Sequence, residues 1–238
     1  KDLLYRCYNT FYNLNNMVIA IAGNFDVDKT LEICDELLKP SEDHGLQVIV
    51  PDEPITVHEK RKVQKLSCAI PLFNIGWKFP SYSGKEQYRN FIVYNILMEL
   101  CLGNTSDFYN RMYESGLLND SFSVSVFCGR GYFSVIAEGE SVDPDKVLSE
   151  MVKELGRLKA DGLDEEEFIT IRNKTYGELV AGLNNVESVA NSMLSQEING
   201  VGIYDGIEIT ANTTFEDVKA ALANMDIENN SLSIIEPV

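Results

Sequence analysis

Long apolar runs are absent from this sequence of 238 residues. The longest, residues 91–102, is interrupted by Asn95 and Glu99, whereas a bilayer-spanning helix needs about 20 apolar residues. We therefore expect no membrane partner. Basic residues are also scarce, because 20 lysines and arginines stand against 37 acidic residues, for a formal net charge of −17. Affinity for phosphates rests on basic side chains, so we expect no nucleic acid partner either.

The sequence is equally poor in residues that carry out catalysis or hold metals. It has two histidines, His44 and His58, and neither lies in the His-Glu-x-x-His pattern of zinc hydrolases or in its inverted form, His-x-x-Glu-His. A serine or cysteine nucleophile would need a base, and the Gly-x-Ser-x-Gly elbow is missing. These absences predict no catalytic residue, no metal site and no cofactor in this chain.

Cysteine usage bears on the compartment. The five cysteines are odd in number, widely spread and set among apolar residues, with no Cys-x-x-Cys pair. This pattern favours free thiols that pack in the core, and a reducing, cytoplasmic localisation.

The first 60 residues predict a short helical unit followed by a connection. Residues 3–12 have a helical pattern, residues 17–22 form an apolar run typical of a buried strand, and Asp26 is a good N-cap for a helix that Pro40 would end. Residues 40–60 are rich in proline and acids. That composition indicates an interdomain linker.

The remainder of the chain predicts alternating strands and helices. Strands are expected where apolar residues alternate with polar ones, over residues 63–78, 122–126, 132–137 and 231–235, the middle pair forming a hairpin. Helices are expected where apolar residues recur at helical spacing, at 86–102, from Pro144 to near Gly162, from 165 towards Val180, at 186–198 and after Thr214. The fold class is therefore α+β, with an antiparallel-rich sheet packed against several helices.

A short internal similarity suggests two copies of one domain plan. Asn15 and Asn16 precede the apolar run at 17–22, as Asn229 and Asn230 precede the strand at 231–235. We therefore divide the chain into the closing elements of a first domain at 1–39, the linker at 40–60 and a second domain at 61–238.

Four stretches together resemble the pitrilysin/insulinase family of inverted-zincin metallopeptidases. Residues 11–26 are similar to the family segment in which an aromatic pair, Asn-Met, an apolar strand and Gly-x-Phe-Asp close the first domain. Residues 103–109, 114–122 and 183–190 resemble the second domain of a bacterial member. The chain is thus identified as similar to the C-terminal half of such a protein, and the absence of an initiator Met before Lys1 fits a piece of a longer chain.

The resemblance implies that zinc is held by a His-x-x-Glu-His motif in the missing N-terminal half, which would be this chain's partner. It also implies substrate contacts from a segment of the form Arg-x-x-x-Gly-Leu-x-Tyr. Here Gly116-Leu117 aligns, while Met112 stands at the Arg position and Asn119 at the Tyr position. Arg111, one residue out of register, is the remaining candidate for a contact with peptide, and a solvated helical arginine is the alternative.

Three functions remain open from the sequence. The parent protein is an active zinc endopeptidase whose noncatalytic C-terminal half, inactive alone, forms a wall around peptide substrate. Alternatively, the parent is a noncatalytic family member that acts as a scaffold for a homologous subunit, which the departures at Met112 and Asn119 favour. The third reading is a free-standing peptide-binding module.

Overall fold

The computed structural model describes residues 1–39, 41–202 and 204–238. The predicted end of the second helix at Pro40 lies outside the described residues. In the rest of the chain the helices and strands build a mixed α+β structure around one five-stranded sheet, which confirms the expected fold class.

The N-terminal unit contains two helices joined by extended chain. Helix α1 (Asp2–Phe11) is followed by a single 3-10 turn (Leu14–Asn16), and helix α2 (Val27–Leu37) begins at the expected cap, where the Asp26 side chain accepts a hydrogen bond from the backbone N–H of Lys29. Neither helix buries a residue. This unit therefore presents apolar side chains to solvent over most of its length.

The expectation of a buried strand at residues 17–22 is wrong for the described chain. The segment is not part of the sheet, and Ile19 is 57% exposed, with Met17, Val18 and Ile21 also exposed. A strand forms only when its backbone groups find a partner, and no described residue pairs with this segment.

The sheet belongs to the second unit. Its strands are β1 (Arg61–Leu66), β2 (Leu72–Phe79), β3 (Ser123–Gly129), β4 (Tyr132–Glu140) and β5 (Asn230–Pro237), in the order β1-β5-β2-β4-β3. Three of the four pairings are antiparallel, and only β1 with β5 is parallel.

The single strand expected at residues 63–78 is in fact two strands. The chain leaves the sheet after β1 and returns as β2, and β5 from the C-terminus occupies the place between them. The exposed and basic β1 forms an edge, whereas β2 alternates buried and exposed positions in the interior of the sheet. Sequence proximity thus did not decide which strands pair.

The hairpin expected around residue 130 is confirmed. Strands β3 and β4 pair from Gly129 opposite Tyr132 to Ser123 opposite Glu138. Gly131 has a φ of +87°, a left-handed conformation that glycine adopts without steric cost.

In the described part of the chain seven helices accompany the sheet, and most begin at a side-chain cap that the sequence indicates. They are α3 (Gly84–Leu102), α4 (Asp107–Glu114), α5 (Pro144–Asp161), α6 (Glu165–Gly182), α7 (Val186–Ile198), α8 (Asp205–Asn212) and α9 (Phe215–Asn224). Helices α4 and α8 were not among those expected from the sequence. Among the residues that the structure describes, none of the helices combines the length and the apolar character that a membrane crossing requires.

The core lies between one face of the sheet and the helices. Strand β2 contributes Phe73, Ile75 and Trp77, which are almost completely buried, and nine residues of α3 are buried as well. Helix α3 packs on β3 and on α9, α6 and α8, and α5 packs on β2 and β5. The Trp77 indole Nε1 donates to the Ile227 backbone carbonyl at 3.1 Å, so the polar edge of this buried ring is satisfied.

Candidate functional site

The loop between α4 and β3 carries the segment that resembles the family's substrate contacts. Helix α4 ends at Glu114, and Gly116, two residues later, has a φ of +72°, which places it in the left-handed region. The N–H groups of Leu117 and Leu118 then both donate to the Met112 carbonyl, at 3.0 and 3.2 Å. A left-handed glycine that closes a helix in this way explains Gly116 without any catalytic role.

Met112 cannot replace an arginine in a contact with peptide. Its side chain is 7% exposed and belongs to the hydrophobic core, together with the buried Leu117 and Leu118. A thioether is also a weak hydrogen-bond acceptor and no donor. At this position the helix is therefore used for packing.

Arg111 lies on the exposed side of the same helical turn, where it forms an ion pair. Its guanidinium donates to Glu154 Oε2 at 2.6 Å, and Arg157 donates to the other oxygen, Oε1, at 2.6 Å. Glu154 is 6% exposed, whereas the side chains of both arginines are about half exposed. The carboxylate thus links α4 to α5.

This arrangement sets the ionisation of Glu154. Burial alone would raise its pKa, but the hydrogen bonds from Arg157 and Arg111 and their positive charges outweigh burial and hold the pKa below its ordinary value. The same hydrogen bond with Glu154 raises the pKa of Arg157. Arg111 is therefore engaged by a permanent anion within the chain.

Asn119 organises the loop that enters β3. Its Oδ1 accepts hydrogen bonds from the Ser121 backbone N–H at 2.9 Å and from the Ser121 hydroxyl at 2.5 Å, and its Nδ2 donates to Glu140 Oε2 at 3.0 Å. Both ends of the amide are used. This side chain ties the start of β3 to the end of β4.

The three predicted positions thus lie in one short region, and a contact between any of them and peptide stays a prediction. Glu154, which fixes Arg111, was not singled out from the sequence. One signal could have indicated it, because a glutamate among the buried positions Met151 and Leu155 of an amphipathic helix needs a cation, and Arg157 follows three residues later.

The second feature of interest is the face of the sheet that points away from the core. Exposed polar side chains cover part of it, namely Asn74 on β2, Ser123 and Ser125 on β3, Glu138 on β4 and Ser233 on β5, and near the hairpin turn the rings of Phe127 and Tyr132 are exposed as well. Within the described residues, the helices pack against the opposite face. A groove of about 670 Å³ lies at one end of the sheet, between residues 50–55, 78–81 and 131–134.

The donor chemistry of the chain does not fit a zinc site. Across residues 1–39, 41–202 and 204–238, no three His, Cys, Asp or Glu side chains come together in a group that could hold a metal ion. All five cysteines are free thiols. No catalytic step is therefore assigned to a metal bound by these residues.

The fold and the loop define an α+β domain with one face of its sheet uncovered within the described chain. Comparison with known proteins gives the family. Residues 1–175 match the family described as the peptidase M16 inactive domain, and because this is more than half of the sequence, the chain belongs to that family.

Individual relatives agree with this assignment. The chain is 28% identical over 227 residues to the "uncharacterized zinc protease YmfH" of Bacillus subtilis strain 168, a match that covers 92% of this chain and 52% of the relative. It superimposes with a TM-score of 0.92 and 25% identity on a crystal structure described as an M16-like peptidase from Alicyclobacillus acidocaldarius, covering 100% of this chain and 58% of that one. A protease from Helicobacter pylori shares the fold at 15% identity and a TM-score of 0.75, over 91% of this chain and 54% of that one.

The chain spans about half the length of the curated relatives that it matches. The resemblance inferred from the sequence is confirmed at the level of the M16 family.

Proposed function

We propose that this chain is the noncatalytic C-terminal half of a zinc metalloendopeptidase and forms part of the wall that encloses a peptide substrate. Its partner is a zinc-bearing half that precedes Lys1 in the same protein. The relatives named as zinc proteases are about twice as long as the matching region, which supports such a partner. The free thiols support a reducing, cytoplasmic location.

One observation carries the proposal, namely the exposed apolar chain at residues 17–22. It follows a pair of asparagines, as β5 does, and β5 lies between β1 and β2 in the interior of its sheet. Ile19 and its apolar neighbours are exposed here. An exposed apolar segment in a protein of this charge supports a second sheet, completed by chain from outside these residues.

The uncovered sheet face supports the enclosing role. Asn74, Ser125 and Ser233 give it short polar side chains, which leave room for an extended peptide and offer hydrogen bonds to its backbone.

The experiment measures zinc content and peptidase activity of the chain alone, and again after co-expression with the segment encoded upstream. We expect both to occur only in the combined sample. Ile19→Asp should weaken assembly of the two segments at least tenfold, because it places a charge in the proposed sheet, whereas Val142→Asp, at a position 71% exposed and distant in sequence, should not. Stoichiometric zinc or cleavage with the chain alone would contradict the proposal.

A scaffold role is the second candidate, and the geometry of the α4–β3 loop favours it. Met112 is buried, Asn119 bonds within its loop and Arg111 is paired with Glu154, so in this conformation none of the three is dedicated to a substrate. Under this alternative the combined sample assembles but binds no zinc and cleaves no peptide. A degenerate His-x-x-Glu-His motif upstream would accompany that result.

A further inference from the structure

The connecting segment of residues 41–57 has no helix or strand, yet side chains from both units hold it. Its first residues contact the N-terminal unit, its middle contacts the sheet, and its last residues contact the turn before β5. We refer to residues 41–57 as the strap.

At its start, the strap is held by two asparagines. Asn13 Nδ2 donates to the Glu42 carbonyl at 2.7 Å, and Asn15 Nδ2 donates to the Ser41 carbonyl at 2.9 Å. The Ser41 hydroxyl donates in return to Asn13 Oδ1 at 3.0 Å. Asn13 is 7% exposed, so the contact closest to the helical unit is shielded from water.

At its end, the strap is held by one asparagine that uses both ends of its amide. Asn229 Nδ2 donates to the Ile55 carbonyl at 2.8 Å, and Asn229 Oδ1 accepts from the Val57 N–H at 3.1 Å. These residues are more than 170 positions apart in the sequence, so the contact is purely tertiary.

The middle of the strap lies at the end of the open sheet face. Lys78 of β2 donates to Glu53 Oε1 and to the Pro54 carbonyl, each at 2.6 Å. Val50 packs so tightly over Gly131, in the turn between β3 and β4, that a Cβ at this glycine would collide with it.

The two ends are related by the internal similarity. Asn15 and Asn229 each lie two residues before the apolar segment of their copy, and each donates its side-chain N–H to a backbone carbonyl of the strap. Side-chain amides are suited to this task because they pair with backbone groups without introducing charge. The similarity thus has a structural role in both copies.

We propose that the strap is a conformational device that opens and closes as one unit: it fixes the N-terminal unit to the sheet domain and, when closed, covers one end of the open sheet face. Asn15 and Asn229 hold its ends and Lys78 holds its middle. Between them the strap forms neither helix nor strand, and in this proposal the loss of one attachment releases the others. This inference does not depend on the proposed function.

The test is amide hydrogen exchange, residue by residue, on the intact protein as its gene encodes it. Asn229→Ala and Lys78→Met are compared with Asn212→Ala, a control whose side chain bonds only within α8. Lys78→Met should raise exchange about tenfold at the Val57 amide, towards its rate in Asn229→Ala, because Val57 donates to Asn229, which Lys78 does not contact, and a common opening releases that bond. The control should leave exchange at Val57 unchanged.

Other outcomes would overturn the proposal. If Asn229→Ala accelerates exchange at Val57 alone, and Lys78→Met only beside residue 53, the attachments are independent and there is no common opening. Fast exchange at the Val57 amide in the unmodified protein would show that the contacts do not hold the strap. Exchange at the Ile75 amide, in the centre of the sheet, reports global unfolding. If Asn229→Ala also accelerates exchange at Ile75, that variant has destabilised the whole domain, and the proposal is then judged on Lys78→Met alone.

Discussion

The ion cluster of Glu154 with Arg111 and Arg157 offers a quantitative test of the structure. Glu154→Gln keeps the shape of the side chain but removes the charge that both guanidinium groups contact at 2.6 Å. Each charge-assisted hydrogen bond contributes about 1.5–3 kcal/mol when shielded. Because both arginine side chains are about half exposed, water screens the ion pairs and solvates the arginines when the pairs are removed. We therefore expect Glu154→Gln to lower the free energy of unfolding by about 2 kcal/mol in total.

Urea denaturation followed by tryptophan fluorescence measures this loss directly. Trp77 is the only tryptophan and is fully buried, so its emission reports unfolding of the sheet domain. The matched control is Glu150→Gln in the same helix, whose partner Lys153 is exposed, and which should cost less than about 0.5 kcal/mol. A Glu154→Gln protein as stable as the control would refute the reasoning.

The dependence on pH provides a second reading of the same variant. The pKa of Glu154 is lowered in the folded protein, so its stabilising effect is complete above its ordinary value of 4.5 and is lost as the pH falls through the folded value. The stability difference between the unmodified protein and Glu154→Gln should therefore be constant at neutral pH and shrink below about pH 4.5. A difference that instead shrinks between pH 6 and 8 would assign the effect to another group.

Three further predictions concern single positions. Gly116→Ala should lower the free energy of unfolding by about 1–2 kcal/mol, because the φ of +72° at this position is unfavourable for alanine. Gly177→Ala should raise it by up to about 1 kcal/mol, because Gly177 lies within α6 and a Cβ there meets no other atom. Urea denaturation of the two variants distinguishes the opposite signs. Thr214→Ala removes the capping box of α9 and should cost about 1 kcal/mol by the same assay. Burial raises the pKa of the Cys101 thiol and shields it from reagents, whereas Cys7 is exposed. At pH 8 a thiol reagent should therefore modify Cys7 within minutes and Cys101 only after denaturant is added. Peptide mass mapping of the treated protein checks this prediction.

Much of the candidate site was accessible from the sequence, but its chemistry was not. The segment with Arg111, Met112 and Asn119 was located by its resemblance to the family motif, and the structure places all three in the α4–β3 region. The partners that occupy them were not predicted. Glu154 lies 43 positions from Arg111 and Glu140 lies 21 from Asn119, so neither contact is visible in local spacing. Whether these positions touch a peptide stays a prediction, as does the division into three units.

The sequence alone determined what depends on near neighbours. The caps at Asp26, Asp143, Asp164, Asn185 and Thr214 each accept a hydrogen bond from a backbone N–H three residues later, and the hairpin at Gly131 closes over two residues. Such interactions form within one helical turn or one tight turn, so the residue pattern specifies them.

Only the tertiary structure decided the remainder. It inserted β5 between β1 and β2, left residues 17–22 without a partner in the described chain, and brought Asn229 to the strap. These choices join residues far apart in the chain, at a cost in loop entropy that only burial and hydrogen bonding across the whole fold can offset. The local sequence pattern does not predict how these free energies balance. A similar apolar run forms an interior strand where neighbouring strands are present and an exposed segment where they are not.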